Sequence, residues 1–361
     1  MIRVGLIGYG YASRTFHAPL LAAAPGLELV AVSSSDAAKV RAERPALRVH
    51  ADPLELIASA DIDLVVIPTP NDTHHPLARA ALLAGRHVVV DKPFTVTLAQ
   101  GEELVRLARE GGRVLSVFHN RRWDGDFLTL ERLVREGALG RVVEMASGFD
   151  RFRPEVRARW REGRDAGSGL WYDLGPHLLD QAVRLFGWPL AIALDRAALR
   201  EGALADDWFC ARLRYEGLRV TLRAGTLVAV PAPRFAVHGT RGSFVKEGLD
   251  PQEDALKAGA RPTGAAAARW GIEAAPARLV LRDDAGTLVE RAQALDPGDY
   301  PRYYAALAAA IRGEGPNPVP AEEALDVIAL VEAGIAADLQ RREAQAPPRP
   351  SAEHSGSGLQ A

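Results

Sequence analysis

The chain has 361 residues, 48% of them hydrophobic and 25% charged, and its 44 Lys and Arg residues nearly balance 46 Asp and Glu residues. This profile predicts a globular protein of two domains, and a net charge of −2 argues against a nucleic-acid or anionic-membrane surface. The single cysteine, Cys210, excludes an intramolecular disulfide. No apolar run approaches the ~20 residues of a membrane span, and the N-terminus does not resemble a leader. We therefore expect a cytoplasmic protein.

The first ~120 residues alternate short β-branched runs with Ala/Leu/Arg-rich stretches of helical spacing. Strands are predicted at 2–7, 28–33, 64–68, 87–90 and 114–118, and helices at 73–84 and 98–110. This alternation predicts an α/β fold, in which a parallel sheet is covered by helices on both faces.

After residue 123 the rhythm changes to successive strands with little helix between them. Strands are predicted at 142–149, 191–199, 208–215, 219–227, 234–238 and 278–282, and helices at 127–136, 173–186, 300–312 and 321–342. An Arg-rich segment lies at 151–164. The pattern indicates an α+β domain with an antiparallel or mixed sheet. We therefore predict domains at 1–122 and 123–343, followed by a disordered Pro/Ser/Gly-rich tail at 344–361.

A glycine-rich turn follows the first strand and opens a helix: Gly8, Tyr9, Gly10, Tyr11, Ala12 and Ser13. In a G-x-G-x-x-G motif the first glycine permits a tight turn and the second lets a pyrophosphate approach the backbone. The N–H groups of the helix start then bind the phosphates. A small Ser13 replaces the third glycine. The turn predicts a dinucleotide cofactor; a plain strand–turn–helix is the alternative.

The end of the second strand bears on the choice between NADP and NAD. Ser34 stands about where NAD-preferring proteins usually place an acid against the ribose, and Asp36 is expected to cap the next helix. Ser33 and Ser34 are both expected to contact the cofactor. The absence of a carboxylate removes repulsion toward a 2′-phosphate, which Lys39 or Arg41 could then bind. We therefore favour NADP, with NAD as the alternative if Asp36 reaches the ribose.

Three further motifs follow: PTPNDTH at 68–74, DKP at 91–93 and WYDLGPH at 171–177. With the glycine turn, they resemble the Gfo/Idh/MocA oxidoreductase family, named for glucose–fructose oxidoreductase, inositol dehydrogenase and rhizopine catabolism. The resemblance runs from residue 1 to about 339. The segments FHAPL (16–20), VVVDKPFTVT (88–97), NRRWDGDF (120–127) and 237–259 resemble in particular the subgroup of NADP-dependent scyllo-inositol dehydrogenases.

The resemblance implies a Rossmann domain followed by an α+β domain with an open, mostly antiparallel sheet. It also implies that copies associate through this sheet as a homodimer or homotetramer. The family's Glu-Lys-Pro motif matches 91–93, with Asp91 in place of the glutamate, and its Asp-x-x-x-His motif matches Asp173 and His177. The catalytic roles of the family are thereby carried over to Lys92, Asp173 and His177.

Oxidation of a secondary alcohol requires hydride transfer and removal of the hydroxyl proton. His177 is the natural base, because imidazole titrates near neutral pH, and Lys92 can stabilise the developing alkoxide. Asp173 lies four residues before His177, so on a helix its carboxylate can orient the imidazole. Pro176 means that this helix either begins near Asp173 or is kinked. No metal site is predicted, because His74 and His75 are adjacent and no carboxylate spacing supports them.

Further contacts are predicted around this centre. We expect the two-proline loop, the DKP strand end and the residue after the sixth strand to contact the cofactor, through Thr69, Pro70, Asn71, His74, Asp91, Lys92 and Asn120. We expect the substrate to contact Arg121, Trp123, Asp124, Trp160 and Tyr172. For residues 120–124 an interdomain ion cluster is an equal alternative, and for Trp160 buried packing is the alternative.

These inferences predict an NADP-preferring oxidoreductase acting on a polyol, a sugar or a related hydroxy or keto compound. Two rivals belong to other classes: a non-catalytic regulator that senses the dinucleotide, and a glycoside hydrolase that uses a tightly held NAD. The presence of Lys92, Asp173 and His177 argues against the regulator, as does the lack of a basic helix. A pigment or diol reductase of the same fold is a milder alternative.

Overall fold

The computed structural model describes residues 1–339; the tail predicted at 344–361 lies outside them. One parallel sheet contains strands β1 (Ile2–Ile7), β2 (Leu27–Ser33), β3 (Arg48–His50), β4 (Leu64–Ile67), β5 (His87–Val90) and β6 (Leu115–Val117). Their order is β3-β2-β1-β4-β5-β6. The chain leaves β1 toward one side of the sheet and returns at β4 on the other, which opens a ligand crevice at the carboxyl ends of these strands.

Helices cover both faces of this sheet, and its central strands are therefore apolar at successive positions. They are α1 (Ala18–Ala23), α2 (Ala37–Glu43), α3 (Pro53–Ala58), α4 (Asn71–Leu83) and α5 (Leu98–Glu110). A π-helical segment, Ser13–His17, leads into α1. The N-terminal α/β prediction is confirmed; β3 and the short helices α1 to α3 were not predicted.

The second half forms a sheet of eight strands that is antiparallel except at one pairing. Its strands are β7 (Val142–Gly148), β8 (Ala191–Ala197), β9 (Trp208–Tyr215), β10 (Leu218–Gly225), β11 (Phe235–Gly239), β12 (Gly242–Lys246), β13 (Ala277–Arg282) and β14 (Leu288–Gln293). The order is β14-β13-β12-β11-β7-β10-β9-β8, with β7 and β10 parallel. The predicted open, mostly antiparallel sheet is confirmed.

Five helices accompany the second sheet: α6 (Gly125–Arg135), α7 (Leu170–Phe186), α8 (Gln252–Lys257), α9 (Pro301–Ile311) and α10 (Ala321–Leu339). The predicted boundary at 122/123 remains a prediction, but packing crosses it. Tyr303 and Tyr304 of α9 are fully buried in the core of the parallel sheet. Helix α10 contributes Ile328 to that core and Val331 to the other. Helix α10 therefore joins the two sheets, and α9 packs into the core of the parallel sheet. Through residue 339, no helix is long and apolar enough to cross a membrane.

Candidate active site

The glycine turn has the geometry of a phosphate cradle. Gly8 adopts a φ of +83°, which side chains other than glycine rarely accept. A Cβ at Gly10 would meet no atom within 4 Å, so the backbone is open at the start of the helical chain. The Ser13 hydroxyl donates to the Gly8 carbonyl at 2.8 Å and closes the turn from behind. These residues fit the pyrophosphate of a dinucleotide.

Two residues that were predicted to contact the cofactor hold protein loops together. Asn71 is 5% exposed, and its amide donates to the Gly167 carbonyl at 2.8 Å. The fully buried His74 ring lies 2.9 Å from the carbonyl oxygens of Thr69 and Pro93. The Asn71 amide nitrogen and both His74 ring nitrogens therefore contact backbone carbonyls and shape the loop that ends β4, and the cofactor contact of these two residues stays a prediction. Thr69 itself is partly exposed there.

Other predicted cofactor residues also have partners within the protein. Tyr9 is buried, and its hydroxyl donates to Glu43 at 3.2 Å, so it packs behind the turn rather than in front of it. Asp36 caps α2 by accepting a hydrogen bond from the Lys39 N–H at 2.9 Å, as predicted. Ser34 accepts from the Asp36 N–H at 3.1 Å. The Asp36 carboxylate and the Ser34 hydroxyl at the end of β2 therefore both bind backbone N–H groups.

A cavity of about 440 Å³ opens at the carboxyl edge of the parallel sheet. Of the predicted site residues, it is lined by Tyr11, Ala12, Asp91, Lys92, Asn120, Arg121, Asp173 and His177. The sequence did not lead us to assign a role to the other lining residues: Phe16, Phe118, Arg151, Arg153, Arg157, Arg159, Arg161, Leu174, Glu253 and Lys257. Within residues 1–339, no group of three or more His, Cys, Asp or Glu side chains is arranged to hold a metal ion.

Lys92 and Asp173 form a tight pair in this cavity. The Lys92 ammonium donates to the Asp173 backbone carbonyl at 2.6 Å and to Asp173 Oδ1 at 2.9 Å. Burial alone would raise the pKa of the Asp173 carboxyl, but the charges of Lys92, Arg161 and Arg151 outweigh burial and hold that pKa well below its usual range. The carboxylate is therefore ionised and fixes the ammonium at the end of β5.

His177 lies one turn after Asp173 on α7, which begins at Leu170 and contains Pro176 in its interior. The imidazole is 4% exposed, and its Nδ1 has no hydrogen-bond partner in the protein. The hydrogen bonds of Asp173 run to Lys92, so the predicted Asp173–His177 contact is wrong. The spacing does bring both side chains to one helix face, but the Asp173 carboxylate pairs with the Lys92 ammonium rather than with the imidazole.

The charge state of His177 follows from its surroundings. Burial lowers the pKa of the imidazole, and the nearby charges of Lys92 and Arg121 lower it further. At neutral pH the ring is uncharged and can accept a proton. Lys92 is thus close enough to influence the imidazole electrostatically.

We expect the substitution His177→Asn to make folding less sensitive to acid. The folded protein keeps this imidazole neutral, whereas the unfolded chain binds a proton below about pH 6.5, so acid favours unfolding through His177. The variant lacks this imidazole. The difference between its free energy of unfolding and that of the native protein should therefore increase by about 1.4 kcal/mol for each pH unit below 6.5, until the folded-state pKa is reached. Urea unfolding of both proteins at neutral pH and at about pH 5 measures this difference. Parallel pH profiles would contradict a neutral, buried imidazole.

A buried hydrogen-bonded chain supports Asp91 from behind. His17 is fully buried, with Nδ1 2.6 Å from the Tyr304 hydroxyl and Nε2 3.4 Å from the Asp91 carboxylate. Burial pushes the pKa of the Asp91 carboxyl upward, but the hydrogen bond from His17 and the charges of His17 and Lys92 lower it to about 2. Asp91 therefore presents a fixed negative charge to the cavity. The sequence analysis assigned no role to His17, which lies in the FHAPL segment.

Of the five predicted substrate contacts, Arg121 alone lines the cavity. Trp123 is 8% exposed and packs edge-on against Tyr303 in the core, with ring centroids 5.6 Å apart. Asp124 is 1% exposed, accepts a hydrogen bond from the Tyr300 hydroxyl at 2.7 Å and pairs with Arg121 at 3.3 Å. Asp124 therefore belongs to an ion cluster, which was the alternative for this segment, whereas Trp123 packs in the core. Neither residue lines the cavity, and their contact with a substrate stays a prediction.

Trp160 and Tyr172 also lie outside the cavity wall. The Arg161 guanidinium covers the Trp160 ring, 4.8 Å from its centre. The Tyr172 hydroxyl donates to the Val96 carbonyl at 3.1 Å. Tyr172 is one residue from Asp173, which turns it about 100° around the helix and away from the cavity. Their contact with a substrate stays a prediction.

The parallel sheet, its glycine turn and the charged cavity at its edge define a two-domain dinucleotide-binding protein. Comparison with known proteins gives the same result. Residues 2–119 match the model of the oxidoreductase family's NAD-binding Rossmann fold, and residues 131–345 match that of the same family's C-terminal alpha/beta domain. The chain therefore belongs to the Gfo/Idh/MocA oxidoreductase family, as the sequence motifs predicted.

Individual relatives span almost the whole chain. The uncharacterised oxidoreductase YdgJ of Escherichia coli is 56% identical, over 92% of this chain and 95% of its own length. The scyllo-inositol 2-dehydrogenase (NADP⁺) IolW of Bacillus subtilis is 38% identical, over 94% of this chain and 95% of its own length. The solved structure of the YPO2259 protein of Yersinia pestis is 56% identical and superposes with a TM-score of 0.89, over 94% of this chain and 95% of that one.

Proposed function

We propose that the protein is an NADP-dependent dehydrogenase or reductase that interconverts CH–OH and C=O groups of a polyol, sugar or related compound. One observation carries this proposal: Lys92, held by Asp173, lies in one cavity with a neutral His177, at the sheet edge where the glycine turn would place a dinucleotide. The relative IolW, named as an NADP-dependent scyllo-inositol 2-dehydrogenase, supports the same class of substrate.

The roles of the side chains follow from their charges. When bound, the nicotinamide accepts or donates the hydride. The Lys92 ammonium stabilises negative charge on the substrate oxygen and thereby lowers the proton affinity of that oxygen. His177 then takes the hydroxyl proton, which a neutral imidazole can do although burial weakens it as a base. Asp173 is a positioning residue that keeps the ammonium directed at the substrate.

The preference for NADP is supported by the end of β2. The only carboxylate of the sequence Ser33–Asp36 caps α2 through the Lys39 N–H, so we expect the Ser34 hydroxyl rather than a carboxylate beside the ribose. A hydroxyl does not repel a 2′-phosphate. Association of two or four copies through the eight-stranded sheet and a cytoplasmic location remain predictions.

The test is cofactor reduction by the purified protein with NADP or NAD, over a panel of inositols, aldoses and sugar acids. We expect turnover with NADP that falls about 10²–10⁴-fold in His177→Ala, the range of general acid–base catalysis. Turnover with NAD alone would overturn the NADP preference. Tight dinucleotide binding without turnover would support a sensing protein, and net glycoside hydrolysis with a cofactor that stays bound would support the hydrolase.

A further inference from the structure

The cavity is strongly cationic, although the chain as a whole has a net charge of −2. Eight Lys and Arg side chains line it, against the three carboxylates of Asp91, Asp173 and Glu253. Five of the eight cations come from one stretch, residues 151–161, which follows β7. A neutral polyol can be bound by hydrogen bonds alone, so this concentration of positive charge requires another explanation.

Several of these cations are already neutralised by the protein. Lys92 pairs with Asp173 at 2.9 Å, Lys257 with Glu253 at 2.6 Å, and Arg159 with Glu162 at 2.7 Å. Arg121 pairs with Asp124 and Glu253. By contrast, among the described residues no carboxylate lies within 4 Å of the guanidinium groups of Arg151, Arg153 and Arg157.

Arg151 is partly buried, and its guanidinium lies over the Phe149 ring, 4.9 Å from the ring centre. Burial lowers its pKa, although the charge of Asp173 opposes that effect, and the like charge of Arg153 lowers the pKa further. Arg151 also helps to hold down the pKa values of both Asp173 and Glu253. Arg151 therefore lies near the Lys92–Asp173 pair as a desolvated cation without a contacting counter-ion. An anionic ligand would stabilise this cation.

We propose that the substrate carries a carboxylate or a phosphate, which Arg151 binds with the help of Arg153 and Arg157. The inference rests on the proposed function, because it describes the substrate of that reaction. The anion lies at the mouth of the cavity, and the CH–OH group that reacts lies beside Lys92 and His177. The substrate class is thus a sugar acid, a sugar phosphate or an inositol phosphate rather than a neutral polyol.

An oxyanion at these arginines could also belong to the cofactor, because Arg151 and Arg153 influence the hydroxyl of Tyr11 in the glycine turn. The two sources share their chemistry, but they differ in which ligand loses affinity when an arginine is removed. A substrate anion predicts weaker substrate binding with unchanged NADPH binding. A cofactor phosphate predicts the opposite.

The experiment is calorimetric titration of the full-length protein saturated with NADPH. The probes are D-glucose against D-glucuronate and glucose-6-phosphate, and myo-inositol against myo-inositol-1-phosphate. We expect an anionic probe to bind about tenfold or more tightly than its neutral counterpart, and this preference to fall to about threefold or less in Arg151→Gln. Added KCl should weaken it. Arg291→Gln, a change of the same charge on the exposed strand β14, is the control and should retain the full preference.

Two results would overturn the inference. One is equal binding of charged and neutral probes by the native protein. The other is an anionic preference that survives in Arg151→Gln while the Kd of NADPH rises, which would assign these arginines to the cofactor. Failure of the proposed function is a separate outcome: no probe reduces NADP, yet the anionic preference and its dependence on Arg151 persist. That outcome would support the anion-binding site and contradict only the proposed reaction.

Discussion

Replacing Lys92 by methionine is expected to lower kcat for NADP reduction about 10³-fold. Methionine keeps much of the length of the side chain but removes the ammonium that Asp173 holds at 2.6 and 2.9 Å. The substrate oxygen then loses the charge that stabilises it in the transition state; the loss of one such donor costs about 10²–10³ in kcat. Steady-state rates with the best substrate of the panel measure the effect.

Two controls separate catalysis from positioning in this experiment. The Kd of NADPH in Lys92→Met should stay within about threefold of the native value, because the ammonium contacts Asp173 rather than the glycine turn. In Lys92→Ala, added ethylammonium should restore part of the activity, since it returns a cation to the space that the side chain left. Activity of Lys92→Met within about tenfold of the native rate would make this lysine structural.

Replacing Arg122 by methionine is expected to lower the free energy of unfolding by about 3–5 kcal/mol, the cost of breaking a buried ion pair. The guanidinium is 5% exposed and binds the 3% exposed Asp180 carboxylate through Nε at 2.9 Å and Nη2 at 2.5 Å. Its Nη1 reaches Glu323 of α10 at 2.5 Å. The variant leaves the Asp180 charge buried without a partner. Urea unfolding near neutral pH measures the loss.

The matched control for Arg122→Met is Arg106→Met, which removes an exposed pair on α5. The side chains of Arg106 and Glu110 are 57% and 58% exposed, and Arg106 Nη1 lies 2.8 Å from Glu110 Oε2. Removal of this pair should therefore lower the free energy of unfolding by only about 0–1 kcal/mol. The double variant Arg122→Met with Asp180→Leu should recover much of the loss, because no unpaired charge remains. A loss below about 1 kcal/mol in Arg122→Met would show that the ion cluster does not hold the two sheets together.

Elements whose signals are local were predictable from the sequence. Strand β5 and helix α5 have the predicted bounds: β5 is a run of valines, and α5 begins with a Thr97 and Gln100 capping box. Strands β3 and β14 were not predicted, because β3 has three residues and β14 has an exposed sequence without apolar alternation. β14 pairs with β13, the strand directly before it, and β3 pairs with β2, so each becomes recognisable only through the strand that it extends.

In the candidate site, motif position identified residues but not their partners. Lys92 and His177 line the cavity. Their place in the site was predictable, because the end of a strand and the face of a helix can be recognised from the sequence. Whether Asp173 contacts His177 or Lys92 depends on how α7 docks against β5, which lie some 80 residues apart. The same holds for Trp123, which α9 buries through Tyr303. Side-chain direction after docking is not encoded in local spacing.

The arginines of the cavity illustrate the same division. Composition and motif spacing revealed a charged segment at 151–164 and a dinucleotide turn at Gly8. Both are predictable because residue types and short-range backbone preferences depend only on the local sequence. Only tertiary structure brings them together. The segment is held over the cavity by Arg200, which donates to the carbonyls of Arg153 and Glu155 at 3.3 and 3.1 Å and is itself fixed by Asp207. Such contacts join residues some 45 positions apart, and their geometry exists only once the second half of the chain has folded.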